Sequence, residues 1–106
     1  MSKSSDIIHK VRQAFKKKVI FSRHALKQMT TQDRMIRTTE VYEIIKKGEL
    51  IEDYPDDPRG HSCLIGGRTK EKRDIHVNCS PKEDHLLIIT VYPITPEFWI
   101  DLKHRR

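Results

Sequence analysis

The sequence predicts an α+β fold in which N-terminal helices pack on a small four-stranded antiparallel sheet. Three observations predict it. Apolar residues recur with the helical period as far as Lys47 and with period 2 after Gly48. Helix signals and strand signals are segregated along the chain rather than interleaved, which excludes a parallel α/β sheet. A length of 106 residues allows one domain, 1–106, with a modest core. Neither layer buries its apolar side alone, so the helices must cover one face of the sheet and leave the other free.

Residues 6–17 place Ile7, Ile8, Val11, Ala14 and Phe15 on one helical stripe. Ser22 is positioned to cap a second, short helix. Phe21 and Leu26 are spaced as a hydrophobic staple there, and Ala25, Leu26 and Met29 form the inner side. Thr30 and Thr31 mark a break. A third helix over 39–47 carries Val41, Ile44 and Ile45, ends in Lys46 and Lys47, and meets Gly48 as its C-cap. Four strands follow: 50–54, then 61–66 after the turn-rich PDDPRG, then 73–79, then 85–92. In the third, Ile75, Val77 and Cys79 alternate with Asp74, His76 and Asn78, giving one dry and one wet face. The segment 85–92 is the most apolar and is expected at the centre of the sheet. Phe98 and Trp99 are expected to fold back on an edge of the core, ahead of a basic tail from Lys103 to Arg106.

Charge narrows the partners. The chain has 21 Lys and Arg against 15 Asp and Glu, a formal charge of +6, which favours acidic partners such as nucleic acid. Residues 7–32 hold seven basic side chains and no acid. Lys16, Lys17 and Lys18 are the densest part of that face and suit a phosphate backbone; a solvated helix surface has the same composition. No apolar run approaches the length of a membrane span, the first ten residues lack a signal-peptide core, and only Cys63 and Cys79 are present, so a cytoplasmic protein without a disulfide framework is expected.

Candidate chemistry rests on a few side chains. His76, on the wet side of its strand, has the residue type suited to proton transfer near neutrality. His24, at the start of the second helix, offers a second acid or base, or a phosphate ligand at a helix N-terminus. Each also fits a purely structural hydrogen-bonding role. Tyr92, in the last strand, can donate its hydroxyl to a phosphate. Arg34, Arg37, Arg68 and Arg73 are candidate phosphate clamps, because a guanidinium fork matches phosphate oxygens. Zinc would need His61, Cys63, His76 and Cys79 to converge, and strand alternation puts His76 and Cys79 on opposite faces. The sequence has no HExxH, no phosphate-binding glycine loop, no dinucleotide fingerprint and no acidic cluster for paired magnesium ions, so neither metal nor cofactor is expected.

The segments IEDYP at 51–55, SCLIGG at 62–67, DIHVNC at 74–79 and IITVYP at 88–93, followed by Trp99, resemble the bacterial and archaeal family known as domain of unknown function 4258. FSRHALKQM at 21–29 resembles that family's opening motif, a His-Ala pair starting a helix that leads to a methionine. The resemblance covers about residues 20–99 and leaves the helix at 6–17 as an addition. The family's arginine after the methionine falls near Arg34 or Arg37, within a longer stretch that lacks the family's glycine. The resemblance implies a relative of the RelE-like and BrnT-like toxins of toxin–antitoxin pairs, which cut RNA without metal. On that analogy His76 is the preferred acid or base, His24 assists, the arginines hold the phosphate, the substrate is RNA, free or on the ribosome, and a small acidic antitoxin covers the basic face. The other function the sequence allows is a non-catalytic RNA-binding or protein-binding module.

Overall fold

The computed structural model describes residues 3–31 and 35–94, with side chains from residue 6 onward. The element order is α1 (Lys3–Lys17), β1 (Val19–Phe21), α2 (Arg23–Thr30), α3 (Thr38–Lys47), β2 (Glu49–Tyr54), β3 (Ser62–Arg68), β4 (Asp74–Pro81) and β5 (Leu86–Pro93). One open five-stranded sheet has the order β1-β5-β4-β3-β2. The expected antiparallel meander is β2 to β5. A fifth strand corrects the four-stranded expectation: β1 pairs in parallel with β5, Val19 to Leu86 through Phe21 to Ile88. It covers an edge that the meander alone would leave open. In consequence the most apolar strand, β5, is interior, and β4 takes the centre.

The three helices bury their stripes against one face of this sheet. Ile7, Val11 and Ala14 of α1, Ala25 and Met29 of α2, and Val41, Ile44 and Ile45 of α3 meet Cys63, Ile65, Ile75, Val77, Cys79, Leu86, Ile88 and Val91 in one core. Each fully buried aliphatic side chain contributes about 1.5–3 kcal/mol from the area it removes from water. Phe15 packs edge-on against Tyr42 with ring centroids 5.4 Å apart, closing the seam between α1 and α3.

The helix ends follow from identifiable residues. Ser22 accepts from the Ala25 N–H at 2.9 Å, as its capping role requires, and donates its hydroxyl to the Ile89 carbonyl at 2.8 Å, tying α2 to β5. The staple does not form: Phe21 belongs to β1 and tilts toward Tyr42, while Leu26 is exposed. Gly48 ends α3 with φ of −73°, so its glycine is explained by space and not by a left-handed backbone. A Cβ there would stand 2.6 Å from the Ile44 carbonyl oxygen and 2.8 Å from that of Gly66. Arg12 reaches across from α1 to donate to the carbonyls of Ile45 and Gly48 at 3.2 and 3.1 Å, satisfying acceptors that the helix end leaves open. Among the described residues no helix is long and apolar enough to cross a membrane. The expectations for Phe98, Trp99 and the basic tail lie outside the described residues.

Candidate functional site

The face of the sheet away from the helices gathers the polar residues. Register places Glu49 of β2 opposite Gly66 of β3, Gly66 opposite His76 of β4, and His76 opposite Tyr92 of β5, one lateral row across four strands. The adjoining row runs Glu52, Leu64, Asn78, Thr90. On the other side Arg68 stands opposite Asp74 and is joined to it by two hydrogen bonds, at 2.8 and 3.2 Å.

His76 is the middle of the first row. Its Nδ1 lies 3.4 Å from the Tyr92 hydroxyl, with the rings edge-on at 5.6 Å between centroids. Its other edge lies over Gly66, where a Cβ would stand 2.6 Å from the imidazole Cδ2 and 2.9 Å from Nε2. Only glycine at 66 leaves room for the ring. His76 is fully buried, which corrects the expectation of a wet position. Alternation does put it on the face opposite Ile75 and Val77; what fails is the assumption that this face is open to water there. Tyr92 is half-buried.

Beside this row a cleft of about 200 Å³ is lined by Lys47, Glu49, Ile51, Gly66 and Arg68 among others. Gly66 belongs both to the cleft and to the bed of the His76 ring, so the imidazole packs directly behind the cleft wall. The combination offers a histidine oriented by a tyrosine, with a carboxylate and two basic side chains lining the adjoining cleft.

The other predicted residues are placed differently. His24 is exposed on α2, whose buried side joins the helical core, and among the described residues no hydrogen bond links it to His76 or Tyr92. The arginines are held by carboxylates: Arg37 contacts Glu71 and Glu40, Arg68 binds Asp74, and Arg73 lies 3.6 Å from the buried Glu40 while donating to the Met35 carbonyl at 3.3 Å. Arg34 lies outside the described residues. Lys16, Lys17 and Lys18 are exposed. Cys63 and Cys79 face each other across β3 and β4 within the core, and the hydrogen bond with Cys63, then burial, pushes the Cys79 thiol well above its ordinary range. A protonated buried thiol is a poor nucleophile and a poor zinc ligand. Among the described residues no group of three or more His, Cys, Asp or Glu is arranged to hold a metal ion.

Residue-type reasoning passes over Lys47, which lines the cleft from the end of α3, and Glu49 and Glu52 of β2. Glu52 falls within the strand read at 50–54 and Glu49 just ahead of it; only the register of β2 against β3 sets them beside Leu64 and Gly66. Fold and site together define a small α+β protein with helices on one face of a mixed sheet and a row of ionisable residues on the other. The chain matches the family model of domain of unknown function DUF4258 over residues 21–93, more than half its length, and belongs to that family. No curated protein and no solved structure matches it.

Proposed function

We propose that the protein is a small metal-independent ribonuclease of the RelE-like toxin type, with its catalytic site at the cleft beside the Glu49–Gly66–His76–Tyr92 row. The observation that carries this reading is the His76 ring, aligned by Tyr92 and lying on the glycine that also lines a cleft bearing Lys47, Glu49 and Arg68. Cleavage without metal needs a base for the 2′-hydroxyl proton, an acid for the departing 5′-oxygen, and cations for the phosphate in between. His76 and Glu49 supply the proton carriers, and Lys47 and Arg68 the cations. Tyr92 orients the His76 ring through its contact with Nδ1. The 2′-oxygen attacks phosphorus, the bond to the 5′-oxygen breaks, and the products are a 2′,3′-cyclic phosphate and a free 5′-hydroxyl. A charge of +6 suits both RNA, free or on the ribosome, and a small acidic antitoxin that would neutralise it.

One observation favours a second reading, a non-catalytic RNA-binding module: His76 is fully buried and so is not presented to a substrate in this conformation. Cleavage of a mixed-sequence RNA in excess EDTA, with and without translating ribosomes, separates the two. The nuclease reading expects cyclic-phosphate ends from the wild type and roughly 100-fold slower turnover in His76→Gln, in line with the usual contribution of a positioned acid or base. Tyr92→Phe should retain activity with an altered pH profile. A folded His76→Gln variant as active as the wild type overturns the role of His76, and a wild type that binds RNA but never cuts it establishes the module.

A further inference from the structure

On the helical side of the molecule, basic side chains line one cleft. A cleft of about 310 Å³ opens between α1 and the turn joining β4 to β5, lined by His9, Lys10, Gln13 and Lys17 of α1 and by Lys82 and Glu83 of the turn. Positions 9, 13 and 17, with 10 and 14, share one face of a helix, so the cluster follows from spacing within α1. Ala14 and Pro81 add an apolar lining. Lys17 donates to the Glu83 backbone carbonyl at 2.9 Å, and Lys82 donates to the Arg59 carbonyl. Both ammonium groups are therefore held by neutral acceptors, that of Lys82 on the turn between β2 and β3. Nearby carboxylates include Glu83, in the lining, Asp84, which is bonded to the His85 ring at 2.7 Å, and Asp6, one helical turn before Lys10 on α1.

We propose that this cleft binds a phosphodiester unit of a single RNA strand and tracks its backbone; the inference rests on RNA being the partner of the proposed function. Its volume is at the lower end of sites that enclose small ligands, about 300 Å³, which suits one nucleotide unit. Its lysines are point charges of the kind that pair with phosphate oxygens. Pro81 offers an apolar surface for the ribose, and His9 and Gln13 offer further hydrogen-bonding groups. The cleft lies on the opposite side of the sheet from His76, so it supplies affinity and register and takes no part in the chemistry.

The test is fluorescence anisotropy of a labelled single-stranded oligouridine RNA over a salt series. It compares the wild type, the triple variant Lys10→Gln, Lys17→Gln, Lys82→Gln, and the charge-matched control Arg23→Gln, Lys27→Gln, Lys70→Gln. The cleft variant is expected to bind at least roughly 10-fold more weakly, with a salt slope reduced by about 0.7, since the cleft holds one phosphodiester and each neutralised phosphate of a single strand contributes about that much. The control should stay close to the wild type. Equal losses in the two variants, or none in the cleft variant while the wild type binds, overturn the cleft and leave RNA as the partner. A wild type that ignores RNA and binds an acidic peptide overturns both.

Discussion

At the turn between β2 and β3, one carboxylate organises the backbone around it. Asp57 accepts from the Arg59 side chain at 3.0 and 2.9 Å, from the Arg59 backbone N–H at 2.9 Å and from the Ser62 hydroxyl at 2.7 Å. These bonds, with the Arg59 side chain first among them, hold its pKa well below the usual carboxylate range. A group whose folded pKa is depressed stabilises the fold above its unfolded pKa, about 3.9, and that stabilisation is lost as pH falls toward the folded value. Thermal melts from about pH 5 down to about pH 3 should therefore fall more steeply for the wild type than for Asp57→Asn; parallel curves would remove Asp57 from the acid response. PDDPRG reads plainly as a turn, but the choice of Asp57 over Asp56 depends on a serine five residues on, and residue type is silent about that. The same gap explains the arginines. A guanidinium suits a phosphate and a carboxylate alike, and only the register of β3 against β4 reveals that Asp74 stands opposite Arg68.

Single strands are legible from alternation; the site is a property of four strands in register. Period 2 separates His76 from Ile75 and Val77 without any structure. It does not reveal that Gly66 lies beneath the ring, nor that Glu49 lies one strand beyond. The short strand β1 has only Val19, Ile20 and Phe21, too few residues for alternation to register, and its partner lies 67 positions away from each of them. Gly66 tests the row directly. In Gly66→Ala the new methyl would stand 2.6 Å from the imidazole and 3.1 Å from Ile51 Cγ1, so overpacking should destabilise the fold by about 1–3 kcal/mol. In a His76→Ala background most of that penalty should vanish, because the larger of the two collisions is gone. Denaturant melts of the four proteins give the coupling. A penalty that is the same in both backgrounds would mean that the ring does not rest on Gly66.

For the molecule as a whole, the decisive packing question is how the helical face of the sheet is closed. The family match begins at residue 21, yet Ile7, Val11 and Ala14 of α1 are buried in the same core as β4 and α3. Arg12 also satisfies the carbonyls at the end of α3. Segregated helices and strands made that layer legible, because the stripe on 6–17 has to find an apolar surface and the sheet provides one. If α1 completes the core, Ile7→Ala should cost about 2–5 kcal/mol, the range for deleting a large buried aliphatic side chain. Each kcal/mol lowers the melting temperature of a chain of this size by about 4–8 °C. A chain beginning at residue 18 should lose its cooperative transition altogether, since it exposes the surface of β4 and Ile45 that α1 covers. If that shortened chain melted cooperatively near the wild-type temperature, α1 would be an appendage on a core already closed by α2 and α3. The lysines it carries would then serve the proposed RNA cleft without any part in stability.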